Sequence, residues 1–174
     1  MDEKLIIKSK NGDVEAFTEL ILQIRNDLYK IAKTRLVNDA DIDDAIQETM
    51  IEAYKSIKKL KNNEFFKTWI IKILVNKCNY IYKKKKKYII SYEENEMEKY
   101  ISSEEISSDN IDFYLLIKNL KYEERIIIIL FYMENYTTKE ISKILKMNEN
   151  TIKTRIARAK SKLKDILEGG KNNG

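Results

Sequence analysis

The sequence predicts an all-α protein of two small helical domains joined by a flexible acidic linker, on three observations. Apolar residues recur every three or four positions through most of the chain, the spacing of helices that bury one face. Charge is distributed in blocks: residues 1 to 87 carry 19 basic and 13 acidic side chains, residues 88 to 112 carry 1 and 8, and residues 113 to 174 carry 13 and 7. The block nets of +6, −7 and +6 account for the overall +5 and suggest two basic, nucleic-acid-facing modules with a tether that avoids the polyanion. Third, Thr137 to Leu167 reads as two helices joined by a very short turn, the second strongly basic, which is the pattern of a helix-turn-helix.

The elements follow in order. After Gly12-Asp13, the set Ala16, Phe17, Leu20, Ile21, Ile24, Leu28, Ile31 and Leu36 predicts a helix from about residue 13 to 37. Asn38-Asp39 marks a break, and from Asp41 the set Ile42, Ala45, Ile46, Thr49, Met50, Ala53, Tyr54, Ile57 and Leu60 predicts a second. Lys61 to Glu64 turns the chain. Phe66, Trp69, Ile70, Ile73, Leu74, Cys78 and Ile81 then describe a third helix that runs into Lys83 to Lys87. These three helices are expected to form a domain over residues 1–87. Residues 88–112, acidic and without sustained period, read as the linker, with a brief helix around Met97, Tyr100 and Ile101. Segments Phe113–Leu120, Tyr122–Met133, Thr138–Leu145 and Glu149–Leu167 complete a second domain over 113–168, and 169–174 is expected to be a disordered tail.

Within that second domain Thr137-x-x-Glu140 is a capping box, in which each side chain satisfies an orphan backbone N–H of the first turn. The helix it opens buries Ile141, Ile144 and Leu145 and ends near Lys146. Asn148 caps the next helix, whose buried stripe is Ile152, Ile156, Ala159, Leu163 and Ile166 or Leu167. The other face holds Asn150, Lys153, Thr154, Arg155, Ala157, Arg158 and Ser161. Small, amide and cationic side chains near a helix N-terminus suit a major groove, where they meet base edges while charges neutralise phosphates. Cationic helix faces also serve solubility and partner binding; the helix-turn-helix frame favours DNA.

What the sequence lacks narrows function further. With no histidine and a single cysteine, Cys78, a zinc site or a Cys/His or Ser/His catalytic set is out of reach. No Gly-rich phosphate loop appears among 4 glycines. We therefore expect no enzyme, no metal and no cofactor. Cys78 is expected to be a buried thiol in a reducing compartment. A charged N-terminus and the lack of any apolar run near ~20 residues point to a cytoplasmic protein.

The residues also carry a family resemblance over nearly the whole chain. DADIDDAIQETMIEAY, WIIKILVNKCNYIYKKKKK and LKYEERIIIILFYMENYTTKEISKILKMNENTIKTRIARAKSKL, in this order and with a charged linker between, resemble bacterial RNA polymerase sigma factors of the extracytoplasmic-function type, which contain only regions two and four. Asp44, Ile46, Gln47 and Glu48 stand where that family has its core-binding signature. The resemblance implies that the N-terminal domain clamps core RNA polymerase and reads and opens the minus-ten element. It implies that the C-terminal helix-turn-helix binds the minus-thirty-five element of promoter DNA, and that an anti-sigma factor is a partner. Departures are Lys121 for the usual proline, Ser142 for alanine and Lys146 for the glycine of the turn, with an asparagine from Met147-Asn148 expected to take the strained backbone position. Tyr80 and Lys83 replace a frequent aspartate and arginine.

The candidate residues have a physical rationale of their own. Asp44, Gln47 and Glu48, at i, i+3 and i+4, share a helix face and can together meet a basic partner surface, here core polymerase. The loop Lys61–Phe65 and the residues Asn76, Lys77, Tyr80 and Lys83 combine cations, amides and aromatics, the composition that stacks on unpaired bases while tracking a backbone. Phe65, Asn76, Lys77, Tyr80 and Lys83 are accordingly the minus-ten candidates, whereas Phe66 and Trp69 are expected in the core. Asn150, Thr151, Lys153, Thr154, Arg155 and Arg158 are the minus-thirty-five candidates. Two other functions fit parts of the pattern: a two-domain helix-turn-helix regulator that never joins polymerase, and a protein-interaction adaptor.

Overall fold

The computed structural model describes residues 2–90 and 111–169. Most of the expected linker, including Met97, Tyr100 and Ile101, and the tail from residue 170 lie outside the described residues. The chain divides into two compact units, Met1–Tyr100 and Ile101–Gly174. Among the described residues all regular structure is helical.

The first unit contains the three expected helices, α2 (Val14–Lys33), α3 (Asp39–Ser56) and α4 (Phe66–Ile90), preceded by a short α1 (Glu3–Lys10) that periodicity did not single out. Asp13 and Asn38 cap α2 and α3, each accepting a backbone N–H through its side chain, from Ala16 and Ala40. Gly12 links α1 to α2 at φ +98°, a backbone region open to glycine, and its surroundings would leave room for a Cβ, so conformation and not space requires it. Leu20, Ile24, Leu28 and Ile31 of α2, Ile42, Ala45 and Ala53 of α3, and Phe66, Ile70, Leu74 and Cys78 of α4 are buried together. Phe66 is fully buried and Trp69 partly so. Two single turns of 3-10 helix, Ile57–Lys59 and Asn63–Phe65, carry the chain from α3 to α4. α1 braces the second: Lys10 donates to the Asn63 side chain, and Asn63 Nδ2 donates to Glu3 at 3.2 Å. α4 continues to Ile90, so residues 88–90, assigned to the linker by composition, are helical. A residue's poor periodicity does not end a helix whose preceding turns are packed.

The second unit comprises α5 (Ile111–Lys118), α6 (Tyr122–Ile128), α7 (Thr138–Leu145) and α8 (Glu149–Gly169). α5 thus starts two residues before the expected Phe113. Ile126, Ile127, Ile128, Ile129 and Leu130 are all buried, which a helix achieves only when neighbours surround it, and α6 is that central helix. It ends in a widened π turn, Ile129–Met133, followed by Asn135 at φ 55°, a left-handed position that asparagine tolerates. Ile117 of α5 and Leu120 just after it, Tyr136, Ile141 and Ile144 of α7's approach and body, and Ile152 and Ala159 of α8 close around it. Towards the end of α8 the expected stripe opens out: Leu163 and Ile166 are half-buried, and Leu167 is exposed.

The capping box at α7 is formed, with Thr137 Oγ1 accepting the Glu140 N–H at 3.3 Å and the Glu140 carboxylate accepting the Thr137 N–H at 2.9 Å. One expectation for the turn is corrected. The left-handed residue is Lys146 itself, at φ 54° and ψ 44°, and not an asparagine, because α7 ends at Leu145 and the reversal falls on the next residue. Asn148 is instead committed to α8, accepting the Asn150 N–H at 2.8 Å.

Candidate nucleic-acid and polymerase interfaces

The candidate recognition surface of the second unit is the N-terminal half of α8. Ile152 and Ala159 are buried beneath it, while Asn150, Thr151, Lys153, Thr154 and Arg158 are exposed. Thr154 Oγ1 donates to the Asn150 carbonyl at 2.9 Å. Lys153 pairs with Glu149 one turn back at 3.0 Å, and Glu149 also accepts from Thr138 Oγ1 of α7 at 2.8 Å, fastening the start of α8 to α7. These two donors, Lys153 first, hold the Glu149 carboxyl below its usual range. Arg155 differs from its neighbours: its guanidinium pairs with Glu123 of α6, and its side chain is only 27% exposed. Spacing within α8 gave no signal of that partner, since it lies 32 residues away on another helix.

The frame behind α8 is stapled at the α5–α6 turn. Arg125 donates to the carbonyls of Leu120 at 3.0 Å and Lys118 at 2.8 Å, and Lys162 of α8 donates to the Asn119 carbonyl. Three consecutive carbonyls, that of the last residue of α5 and the two that follow it into the turn, are thereby satisfied by cations. Lys121, standing where a proline was expected from the resemblance, keeps an N–H that donates to Glu124 at 3.2 Å.

In the first unit Asp44, Gln47 and Glu48 are all exposed on α3, opposite the buried Ile42, Ala45, Ile46 and Thr49. The shared face expected from spacing is present. Glu48, however, is tied to the other candidate set: Lys77 of α4 lies 3.5 Å from Glu48 and 2.8 Å from Glu52. The hydrogen bond to Glu52, with help from Glu48, holds the Lys77 proton more tightly than usual despite some desolvation. Lys85 likewise reaches Asp41 at 2.5 Å. α3 and α4 are therefore laced by ion pairs that sequence reading did not foresee.

Of the minus-ten candidates, Phe65 is 45% and Tyr80 67% exposed, and Asn76 and Lys83 are also exposed. Lys77 is the most shielded of the set. They do not converge on a point. Phe65 precedes α4 and Lys83 stands near its end, so at ~1.5 Å per residue they mark a strip roughly 25 Å long, a shape suited to a strand and unsuited to a small ligand. Beneath it, buried Arg35 donates to Asn79 at 2.9 Å, and burial pushes the Cys78 thiol up to about 12, the nearby guanidinium opposing the shift. Among the described residues no group of His, Cys, Asp or Glu side chains is placed to hold a metal ion, and no helix is long and apolar enough to cross a membrane.

An exposed polar helix on a braced helix-turn-helix frame, together with a second helical unit carrying an aromatic and cationic strip, defines a DNA-binding protein of transcription. Comparison with known proteins narrows the class. Residues 20–88 match the family model of sigma-70 region 2, and residues 111–163 match that of sigma-70 region 4. The chain is 30% identical over 153 residues to the RNA polymerase sigma factor SigV of Bacillus subtilis, covering 88% of this chain and 92% of that protein. It is 28% identical to the ECF RNA polymerase sigma factor SigW of the same organism, covering 96% and 97%. In fold it is similar to the sigma factor RpoE co-crystallised with the anti-sigma factor NepR from Bartonella quintana, with a TM-score of 0.73 at 20% identity over 89% of this chain and 98% of that one. CnrH in complex with the cytosolic domain of CnrY gives a TM-score of 0.69 at 19% identity, covering 97% of each. The chain belongs to the sigma-70 family, as a sigma factor of the extracytoplasmic-function type that directs bacterial RNA polymerase to promoters, and it is not an enzyme.

Proposed function

We propose that the exposed face Asp44, Gln47 and Glu48 of α3 docks on core RNA polymerase, that Phe65, Asn76, Lys77, Tyr80 and Lys83 engage the minus-ten element as its strands separate, and that Asn150, Thr151, Lys153, Thr154, Arg155 and Arg158 of α8 engage the minus-thirty-five element. The observation that carries this reading is the polar N-terminal half of α8, exposed over a buried stripe on a helix-turn-helix that is capped and cross-braced. A groove-entering helix needs both an open polar face and a rigid support. The aromatics exposed on the first unit, Phe65 and Tyr80, favour unpaired bases, because an accessible ring face can stack on a base. The protein works in the cytoplasm, where polymerase is, and takes an anti-sigma factor as a partner, as does the structurally similar sigma factor RpoE solved with NepR.

Run-off transcription with purified core polymerase, with and without this chain, tests the whole reading: promoter-specific transcripts are expected only when the chain is present. The double variant Gln47→Ala, Glu48→Ala tests the polymerase face. Both residues are exposed, and Lys77 keeps its shorter pair with Glu52 when the Glu48 contact is lost, so stability should change by less than ~1 kcal/mol while core polymerase is captured less strongly. Capture at wild-type strength would remove these residues from the interface.

A further inference from the structure

We propose that Glu123 is a positioning residue for promoter recognition: from α6 it holds the Arg155 guanidinium on one flank of α8 and so fixes how the recognition helix sits against DNA. This rests on the reading of α8 as the DNA-facing helix.

Two observations carry it. The first is the division of α8's cations. Around the helix, Arg155 stands roughly 60° from buried Ile152 and Arg158 roughly 120°, so Arg155 borders the core and Arg158 faces outward. Lys153 spends its charge on Glu149 of its own helix, a pair that moves with α8 and cannot orient it. The Arg155–Glu123 pair joins α8 to the central helix of the unit.

The second is the support beneath Glu123. It lies in the first turn of α6, beside the α5–α6 turn that Arg125 and Lys162 staple, and Glu124 fastens the N–H of Lys121. The carboxylate therefore projects from backbone that is held on both sides. Lys162 ties α8 to this same turn two helical turns beyond Arg155. Two anchors on one side of a helix define its rotation, and rotation decides which of Asn150, Thr154 and Arg158 meets a base edge.

By charge alone Glu123 opposes DNA binding, since a carboxylate near the polyanion weakens attraction to every sequence. Removing it distinguishes the two effects. An Arg held in place contributes more to one register than to others, whereas an added net positive charge favours all DNA alike.

The test uses holoenzyme assembled from core polymerase and the full chain, with a duplex selected by the wild-type holoenzyme from a randomised pool and a random duplex as reference. Glu123→Ala should raise affinity for the random duplex and lower the selected-to-random ratio by roughly three- to fivefold, the size of effect a partly exposed ion pair commands. Glu123→Gln, which loses the charge but keeps an oxygen that accepts from Arg155, should preserve the ratio. In an Arg155→Ala background, Glu123→Ala should change the ratio no further. Equal effects of Glu123→Ala and Glu123→Gln on the ratio, or an undiminished effect without Arg155, would overturn the proposal. Arg158→Ala separates the two levels. If it lowers the ratio while Glu123→Ala does not, the positioning role falls and the DNA-facing helix stands; if Arg158→Ala leaves the ratio at the wild-type value, the assignment of α8 falls with it.

Discussion

Replacing Lys146 by glycine should stabilise the helix-turn-helix. Lys146 sits at φ 54° and ψ 44° and is exposed, and its N–H is directed to the Ser142 carbonyl, which Met147 N–H also reaches at 3.0 Å. A residue with a Cβ loses about 1–2 kcal/mol in this left-handed conformation, where the Cβ crowds the following carbonyl. Glycine avoids that cost but brings extra freedom to the unfolded chain, about 0.5–1 kcal/mol against it. The difference leaves a gain of about 0.5–1 kcal/mol, or roughly 1–4 °C in melting temperature for a chain of this size. Both hydrogen bonds to Ser142 are made by backbone, so the substitution keeps them. Lys146→Ala is the control, because it removes the same charge while retaining the Cβ, and it should give no gain. Thermal unfolding of the three proteins, with amide hydrogen exchange to locate added protection in α7 and α8, measures the effect. Equal shifts for Lys146→Gly and Lys146→Ala would show that charge and not backbone conformation governs this position.

Two further expectations concern other parts of the chain. Thr137→Ala should cost about 1 kcal/mol by undoing the capping box; the Thr137 hydroxyl also donates to the Glu140 carboxylate and, with the backbone N–H, holds it below its ordinary 4.5, so the hydroxyl–carboxylate share of that cost is present above that value and lost as pH falls through the lowered one, and melts from pH 7 to 3 should show the gap between wild type and variant narrowing in acid without closing. With its thiol raised from 9.0 to about 12, Cys78 should resist alkylation at pH 8 in the native protein and react readily in denaturant. Folding holds that thiol neutral, so its share of stability is intact below about pH 9 and declines between 9 and about 12, where the unfolded thiol ionises first. Native labelling as fast as in denaturant would contradict this burial.

Periodicity made most of the fold legible because α2, α3 and α8 are long and bury one stripe each, and Thr137, Glu140 and Asn148 announced their caps in the sequence. α1 escaped because eight residues with Ile6 as the one fully buried apolar side chain give too few repeats of a period to count. Lys146 escaped for a different reason. Left-handed backbone is signalled by glycine or asparagine, and a lysine there is set by where packing ends α7. The candidate faces were legible where they depended on spacing within one helix: Asp44, Gln47 and Glu48, or Asn150, Thr154 and Arg158. Lys77 with Glu52 and Arg155 with Glu123 were not, since a pair between helices depends on how each is rotated, and many lysines of this chain would have satisfied the same spacing rules.

Those inter-helix pairs change how the cations of both units should be weighed. A cation exposed to water can neutralise a phosphate outright, releasing the counterion condensed there on the DNA, and so adds its full share to the salt dependence of binding. One that already faces a carboxylate must either leave that partner or bring the negative charge along, and it contributes less. Lys83 and Arg158 are of the first kind, exposed on their helices, whereas Lys77 and Arg155 are of the second, facing Glu52 and Glu123. The second kind gains in definition what it gives up in attraction, because a paired side chain has fewer conformations to lose when DNA arrives. In both units, then, an exposed cation lies near one tethered across to a neighbouring helix. On the proposed reading of both faces, the exposed cation is expected to supply affinity and the tethered one to limit how its helix is oriented.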